Sequence, residues 1–223
     1  MGIIETFFNV EILIRYFPML MGGFFRTLAL GLLSIILGLI GGMGLVLLRL
    51  YGPRPLRALS LGYIDVFRAI PVLVWLVLVY YALPFVGISF SPFAAACVAL
   101  TMISSAYTAE IYRAGIEAVP KGQFEAAQSI GMSHWDTMRD VVLPQAIRIV
   151  IPPLTNNSIN VMKDTALASV VAMADLLKQA TQAQALAANP TPLIGAAILY
   201  LVMLLPMVRM VAVLERRFSA GRA

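Results

Sequence analysis

Between Ile147 and Val171 one apolar run carries Pro152-Pro153-Leu154-Thr155-Asn156-Asn157-Ser158-Ile159-Asn160, then Lys163, Asp164 and Thr165. Helical spacing puts Asn157, Asn160 and Asp164 on one face, with Asn156 and Lys163 beside it. Amides both donate and accept hydrogen bonds, and one charge of each sign stands next to them. Such a face could hold a small solute carrying an ammonium and a carboxylate. Turned toward lipid it would be too costly, so it must meet protein, water or solute. Two readings follow: an interhelical hydrogen-bond network satisfied within the protein, or a lining that contacts solute, with Asn157 and Asn160 facing it and Asn156 and Asp164 in support. The two prolines are expected to break the helical ladder.

The elements that must position this face are set by composition. The chain has 223 residues, 61% hydrophobic and 12% charged, where soluble domains are about 45–50% apolar and a quarter charged. Mean hydropathy is +0.89. A water-soluble protein is excluded. Apolar runs at 27–48, 63–83, 92–109, 147–171 and 193–214 are each long enough to cross a ~30 Å hydrocarbon core as a helix. The expected fold is an all-α integral membrane protein, a single domain of five transmembrane helices over 1–223. Residues 1–18 contain Glu5, Glu11 and Arg15 and lack a basic leader pattern, so no cleaved signal peptide is expected.

Sixteen Lys and Arg against eleven Asp and Glu leave the chain at +5. Alternating the loops puts Arg49, Arg54, Arg57, Arg68, Arg113, Lys121, Arg139, Arg148, Arg209, Arg216, Arg217 and Arg222 on one side, and Arg15, Arg26 and Lys178 on the other. That asymmetry predicts an extracytoplasmic N-terminus and a cytoplasmic C-terminus. It accounts for the basic balance without a nucleic-acid partner. Gly38 and Gly42 have the GxxxG spacing of closely approaching helices, within this bundle or against a partner chain. The lone Cys97 sits in an apolar stretch and reads as packing. Thr101, Ser104, Ser105 and Thr108 form a hydroxyl stripe expected to bond back to its own helix. Glu110 and Arg113 are spaced for an i,i+3 ion pair.

The segment 110–145 concentrates charge in an ordered pattern. Residues 123–130 favour a helix, Gly131 fits a terminus needing positive φ, and Ser133-His-Trp-Asp136 opens a second helix expected to end before Pro144. By pattern alone these are amphipathic linker helices. The order Glu125-Ala126-Ala127, three residues, Gly131, nine residues, Val141-x-Leu143-Pro144 resembles the EAA motif of membrane subunits of ATP-binding-cassette importers, with Val141 in the place often held by Ile. Phe67-Arg68-Ala69-Ile70-Pro71, Tyr107-Thr-Ala-Glu110-Ile-Tyr-Arg113-Ala-Gly115, Pro120-Lys-Gly-Gln123 and Lys163-Asp164-Thr165-Ala166-Leu167 extend the resemblance to polar amino-acid permeases, over about 22–217.

The resemblance implies a type I importer transmembrane domain in the bacterial inner membrane. Its expected partners are an ATP-hydrolysing subunit, a second permease chain, identical or related, an extracytoplasmic solute-binding protein and an amino-acid substrate. It assigns Glu125, Ala126, Ala127 and Gly131 to the docking helix that couples to the ATPase. It also places substrate contacts on the stretch that contains Asn157 and Asn160. No Gly-x-x-x-x-Gly-Lys-Ser/Thr phosphate loop occurs, so hydrolysis is expected on the partner and no catalytic residue or cofactor here. His134 stands alone, without a metal-ligand cluster around it. The rival class is a self-sufficient secondary carrier or channel, with Asp164 or Glu110 handling a proton. Lys163 and Asp164 balance each other, so the charge of the amino acid is left open.

Overall fold

The computed structural model describes residues 2–219. Arg222, counted above among the basic residues, lies outside them. Among the described residues the chain is helical, with no strand. The helices are α1 Ile3–Phe7, α2 Val10–Tyr51, α3 Arg54–Ala69, α4 Val72–Val77, α5 Pro92–Glu117, α6 Lys121–Ser129, α7 His134–Asp136, α8 Leu143–Asp164, α9 Leu176–Ala187 and α10 Thr191–Ser219.

Three stretches are long and apolar enough to cross a membrane: Glu5–Tyr51, Pro92–Glu117 and Thr191–Arg217. The apolar run 27–48 is only the second half of α2, which at 42 residues is about 63 Å long. Asn9 caps its start, its side chain accepting from Ile12 N–H at 3.0 Å. Gly52-Pro53 ends it. The run 63–83 straddles a 105° bend between Arg54–Ala69 and Val72–Val86, which make a fourth crossing only if the bent pair is one span. Pro71 causes the bend, because the residue before a proline is driven out of the helical region, and Ile70 is extended at φ −95°, ψ 133°.

Two sequence expectations about prolines are corrected. The helix that opens at Ser133 does not end before Pro144. It widens into a π turn over Thr137–Val142 and continues into α8. Leu143 N–H reaches back to Met138 C=O, and Pro144, which has no N–H to donate, follows directly on this widened turn, which accommodates it. Pro152 and Pro153 likewise stay inside α8. They withdraw donors only from the Arg148 and Ile149 carbonyls, while packing of α8 on α5 and α10 keeps the helix in place. The departure from α geometry comes later, in a 3-10 stretch at Thr165–Val171 that ends on Ala172 at φ 59°.

The bundle is organised by α2 lying along α5, with α8 packed on α5 and also touching α2, and α9 and α10 closing against α2. One core cluster joins Leu30, Leu76, Leu100 and Val171, and another joins Leu20, Leu176, Ala180 and Ala196. Gly38 and Gly42 meet the chain's own α5, which settles which helix their face contacts. A Cβ on Gly38 would strike Ser104, and one on Gly42 would lie 2.6 Å from Thr108 Cβ and 3.0 Å from Ala109 N. Backbone atoms cannot yield as a side-chain tip can. Gly42→Val is therefore expected to destabilise the fold by about 1–3 kcal/mol, read from unfolding in detergent. Gly44→Val, with nothing within 4 Å of the added Cβ, is the control, and equal losses would refute the packing argument.

The hydroxyl stripe of α5 divides. Ser105 bonds back to Met102 C=O at 2.8 Å, as expected, and also meets the Tyr63 hydroxyl at 3.0 Å. Thr108 turns to α8, as described below. Cys97 is buried beside Ser34 and Thr101 hydroxyls.

Candidate functional site

α8 presents its polar face to α5, and between them, closed at one side by Val72 at the start of α4, lies a cavity of about 310 Å³. Its polar wall is Asn157, Asn160, Lys163 and Asp164; the facing wall is Leu100, Ile103, Ser104 and Tyr107 of α5. The i, i+3, i+4, i+7 spacing of those four α5 residues makes them one helical stripe. Thr155 and Ser158 bond to the Ile151 and Leu154 carbonyls, at 2.8 and 2.9 Å, so their hydroxyls are satisfied within α8. Asn157 Nδ2 donates to Thr108 Oγ1 at 3.4 Å. Among the described residues no side-chain hydrogen bond is made by Asn160, Lys163 or Asp164. A closed interhelical network therefore accounts for Asn157 alone.

Three of the four lining residues expected from the sequence, Asn157, Asn160 and Asp164, thus share this cavity. Asn156 does not line it; it is exposed, as are Asn160 and Lys163 of the cavity wall. One residue along the helix turns a side chain by about 100°, enough to separate it from Asn157. The α5 wall was missed because apolar residues and one tyrosine carry no chemical signature of their own. The stripe Leu100, Ile103, Ser104, Tyr107 was the available signal. The volume is at the small end of ligand sites, suited to a small solute.

One turn beyond Tyr107, Glu110 is the hub of an ion cluster. The expected Glu110–Arg113 pair is present at 2.7 Å. Arg49 from the end of α2 also pairs with Glu110, Arg68 from the end of α3 approaches it at 3.9 Å, and Glu117 pairs with Arg113. The Arg68 guanidinium also lies 5.4 Å from the Tyr107 ring centroid, within cation–π range. Arg49 and Arg68 escaped the sequence reading because helical spacing reveals only partners on the same helix. The cluster fastens the ends of α2, α3 and α5 together immediately beside the cavity.

At the same end α6 forms a short helix over a small apolar core of Val119, Met138, Val142 and Ala146, with Phe124 packed on it. Gly131 has φ 83°, a left-handed conformation costly for any residue with a Cβ. Its N–H bonds Gln128 C=O at 3.0 Å, and Met132 N–H bonds Ala127 C=O at 3.1 Å, which together end the helix. Ser133 Oγ accepts from Asp136 N–H at 3.2 Å and starts α7. Glu125 and Ala126 are exposed, while Ala127 is 4% exposed and belongs to the core beneath. Of the two small residues expected to permit close approach, Ala126 alone faces outward. Ile130, 78% exposed, extends that outward surface.

Residues 34–220 match the family of binding-protein-dependent transport system inner membrane components. The chain is 39% identical over 176 residues to the probable amino-acid ABC transporter permease protein YckA of Bacillus subtilis (strain 168), covering 79% of this chain and 78% of that protein. It is 41% identical over 167 residues to the L-cystine transport system permease protein TcyB of the same organism, covering 75% and 71%. A crystal structure of an amino acid ABC transporter with histidines superposes with a TM-score of 0.87 at 39% identity, over 92% of this chain and 96% of that one.

Proposed function

The chain belongs to the family of binding-protein-dependent transport system inner membrane components, and from that premise we propose that it forms the path by which a polar amino acid crosses the membrane. It is an integral inner-membrane permease of the amino-acid ABC transporter kind. The observation that carries the proposal is the cavity between α5 and α8, where Asn160, Lys163 and Asp164 present polar groups not bonded to the described protein. Amides flanked by one charge of each sign suit the ammonium and carboxylate of an α-amino acid. A cavity of this size in a membrane protein has no structural need of such groups.

In this reading the chain crosses the membrane five times, with its N-terminus outside and its C-terminus in the cytoplasm. It pairs with a second permease chain and receives substrate from an extracytoplasmic binding protein. α6 is the docking helix. Glu125 and Ala126 face a separate ATPase, and Gly131 sets the direction in which the next helix leaves. Movement of α6 reaches the cavity through the short turn over 130–133, beyond which α7, the π turn and α8 run on without a break. A push on α6 is thereby passed across the Gly131 turn to the helix that carries Asn157 and Asn160.

The test is recovery of partners. Tagged chain purified from its native membrane in mild detergent is expected to bring down a P-loop ATPase, identified by mass spectrometry. Glu125→Lys is expected to reduce that recovery by about tenfold, a reversed charge at the rim of a docking surface. Gly131→Val, which forces a β-branched residue to φ 83°, is expected to do the same by misdirecting α6. Wild-type chain recovered alone and still driving gradient-dependent uptake would refute the proposal.

A further inference from the structure

A second cavity, of about 340 Å³, opens between the last turns of α2, the end of α5 and the start of α8. Unlike the cavity beside Asn157 it is lined almost entirely by apolar side chains, among them Leu47, Met138, Ile147 and Val150, with Tyr51, Tyr112 and Trp135 around it. It is continuous with an outward apolar stripe on α2, Leu33, Leu37, Ile40, Met43 and Leu47, spaced three or four residues apart and all at least 39% exposed. From Leu33 to Leu47 the helix rises about 21 Å, more than one leaflet of hydrocarbon. The groove is thus the basic-end terminus of a face long enough to run along lipid tails.

Its rim has the opposite character. Trp135 and Tyr51 are 72% and 58% exposed, aromatics of the kind that sit at headgroup level. Arg57, exposed, donates from Nη2 to Leu50 C=O at 3.3 Å and so stands against the groove wall. Arg139, 73% exposed, lies one turn before Leu143, another lining residue. Its nearest anion, Asp140, is 3.8 Å away and itself 60% exposed. Apolar depth, an aromatic margin and two outward guanidiniums match one molecule in length and charge.

We propose that this groove binds an anionic phospholipid of the cytoplasmic leaflet, one acyl chain between Leu47 and Ile147 and the phosphate at Arg57 and Arg139. The inference rests on the cytoplasmic placement of this end proposed above. Bound there, the lipid wedges the end of α2 against the start of α8, between α6 and the substrate-lining part of α8, where it tunes how α6 movement is transmitted.

The test uses the purified chain with whatever partners it retains, reconstituted in nanodiscs of phosphatidylcholine containing phosphatidylglycerol, followed by native mass spectrometry of the released protein. Phosphatidylglycerol is expected to be retained over phosphatidylcholine. Arg57→Gln and Arg139→Gln are each expected to weaken that preference about fivefold. Leu47→Trp and Ile147→Trp, at half-exposed rim positions where the fold has room, are expected to reduce retention of both lipids. The inference is overturned if wild type keeps no lipid, if both rim tryptophans leave retention unchanged, or if Leu47→Cys cross-links two copies of the chain, which would make the groove an interface between copies. Failure of the two proposals is distinguishable. An ATPase recovered without retained lipid refutes this inference alone, whereas lipid retained on a chain recovered alone and still driving gradient-dependent uptake refutes the importer reading alone.

Discussion

Glu110→Gln is expected to cost about 1–3 kcal/mol of stability, between the cost of losing an exposed pair and that of breaking a fully buried one by removing one partner. Glu110 is 17% exposed and faces Arg49, Arg113 and Arg68, whose side chains are 21%, 25% and 40% exposed. With the carboxylate neutralised, three guanidiniums from three helices are left close together. Glu117 remains the sole anion of the cluster, paired with Arg113 alone. Partial water access to Arg113 and Arg68 keeps the cost below that of a dry site. Glu117→Gln, removing a carboxylate 58% exposed, is expected to cost less than about 1 kcal/mol. Unfolding in a detergent titration separates the two, and equal losses would show that Glu110 does not hold α2, α3 and α5 together. Because Tyr107 lies one turn away and lines the cavity, Glu110→Gln is also expected to raise KM for uptake. Glu117→Gln should leave it unchanged.

Replacing Asn157 or Asn160 by Leu is expected to lower kcat/KM for uptake by about 10- to 100-fold each, the loss of one hydrogen bond to a charged group of the solute. Both amides line the cavity, and Leu has similar size, so the cavity keeps its shape while the contact goes. Asn157→Leu also leaves Thr108 Oγ1 without its 3.4 Å partner, so a small stability loss accompanies it. Asn160, unbonded within the described protein, should show the transport defect alone. Asn156→Leu, next in sequence but off the cavity, is expected to change kcat/KM by less than about threefold, since it removes no group that faces the solute. Uptake by vesicles reconstituted with the partner ATPase measures all three. Equal effects at Asn156 and Asn160 would mean that the α8 polar stretch does not meet the solute through this cavity.

The membrane environment, the helical class and the existence of a polar helix face were legible in the residues themselves. Hydrophobic run length answers to bilayer thickness, and the period of 3.6 assigns Asn157, Asn160 and Asp164 to one side without knowledge of any neighbour. Gly131 was legible for the same reason, since the positive φ of a helix end is a local requirement. The glycine face of α2 was visible as Gly38 and Gly42, but not its partner, because GxxxG states only that something comes close. Prolines misled. Pro144, Pro152 and Pro153 mark lost donors, yet a π turn and lateral packing absorb the loss, whereas Pro71, with Ile70 before it extended, produces the 105° bend.

Where a property depends on one chain segment, spacing and residue type were therefore sufficient: apolar span, helix face, cap and turn. The tertiary structure alone decided which segments meet. It joined Arg49 and Arg68 to Glu110 from helices far apart in sequence, placed Tyr107 and Ser104 opposite Asn160 and turned Ala127 inward. Side-chain contact across helices depends on the rotation and approach of two rods, which their packing sets jointly and which neither sequence stretch encodes by itself.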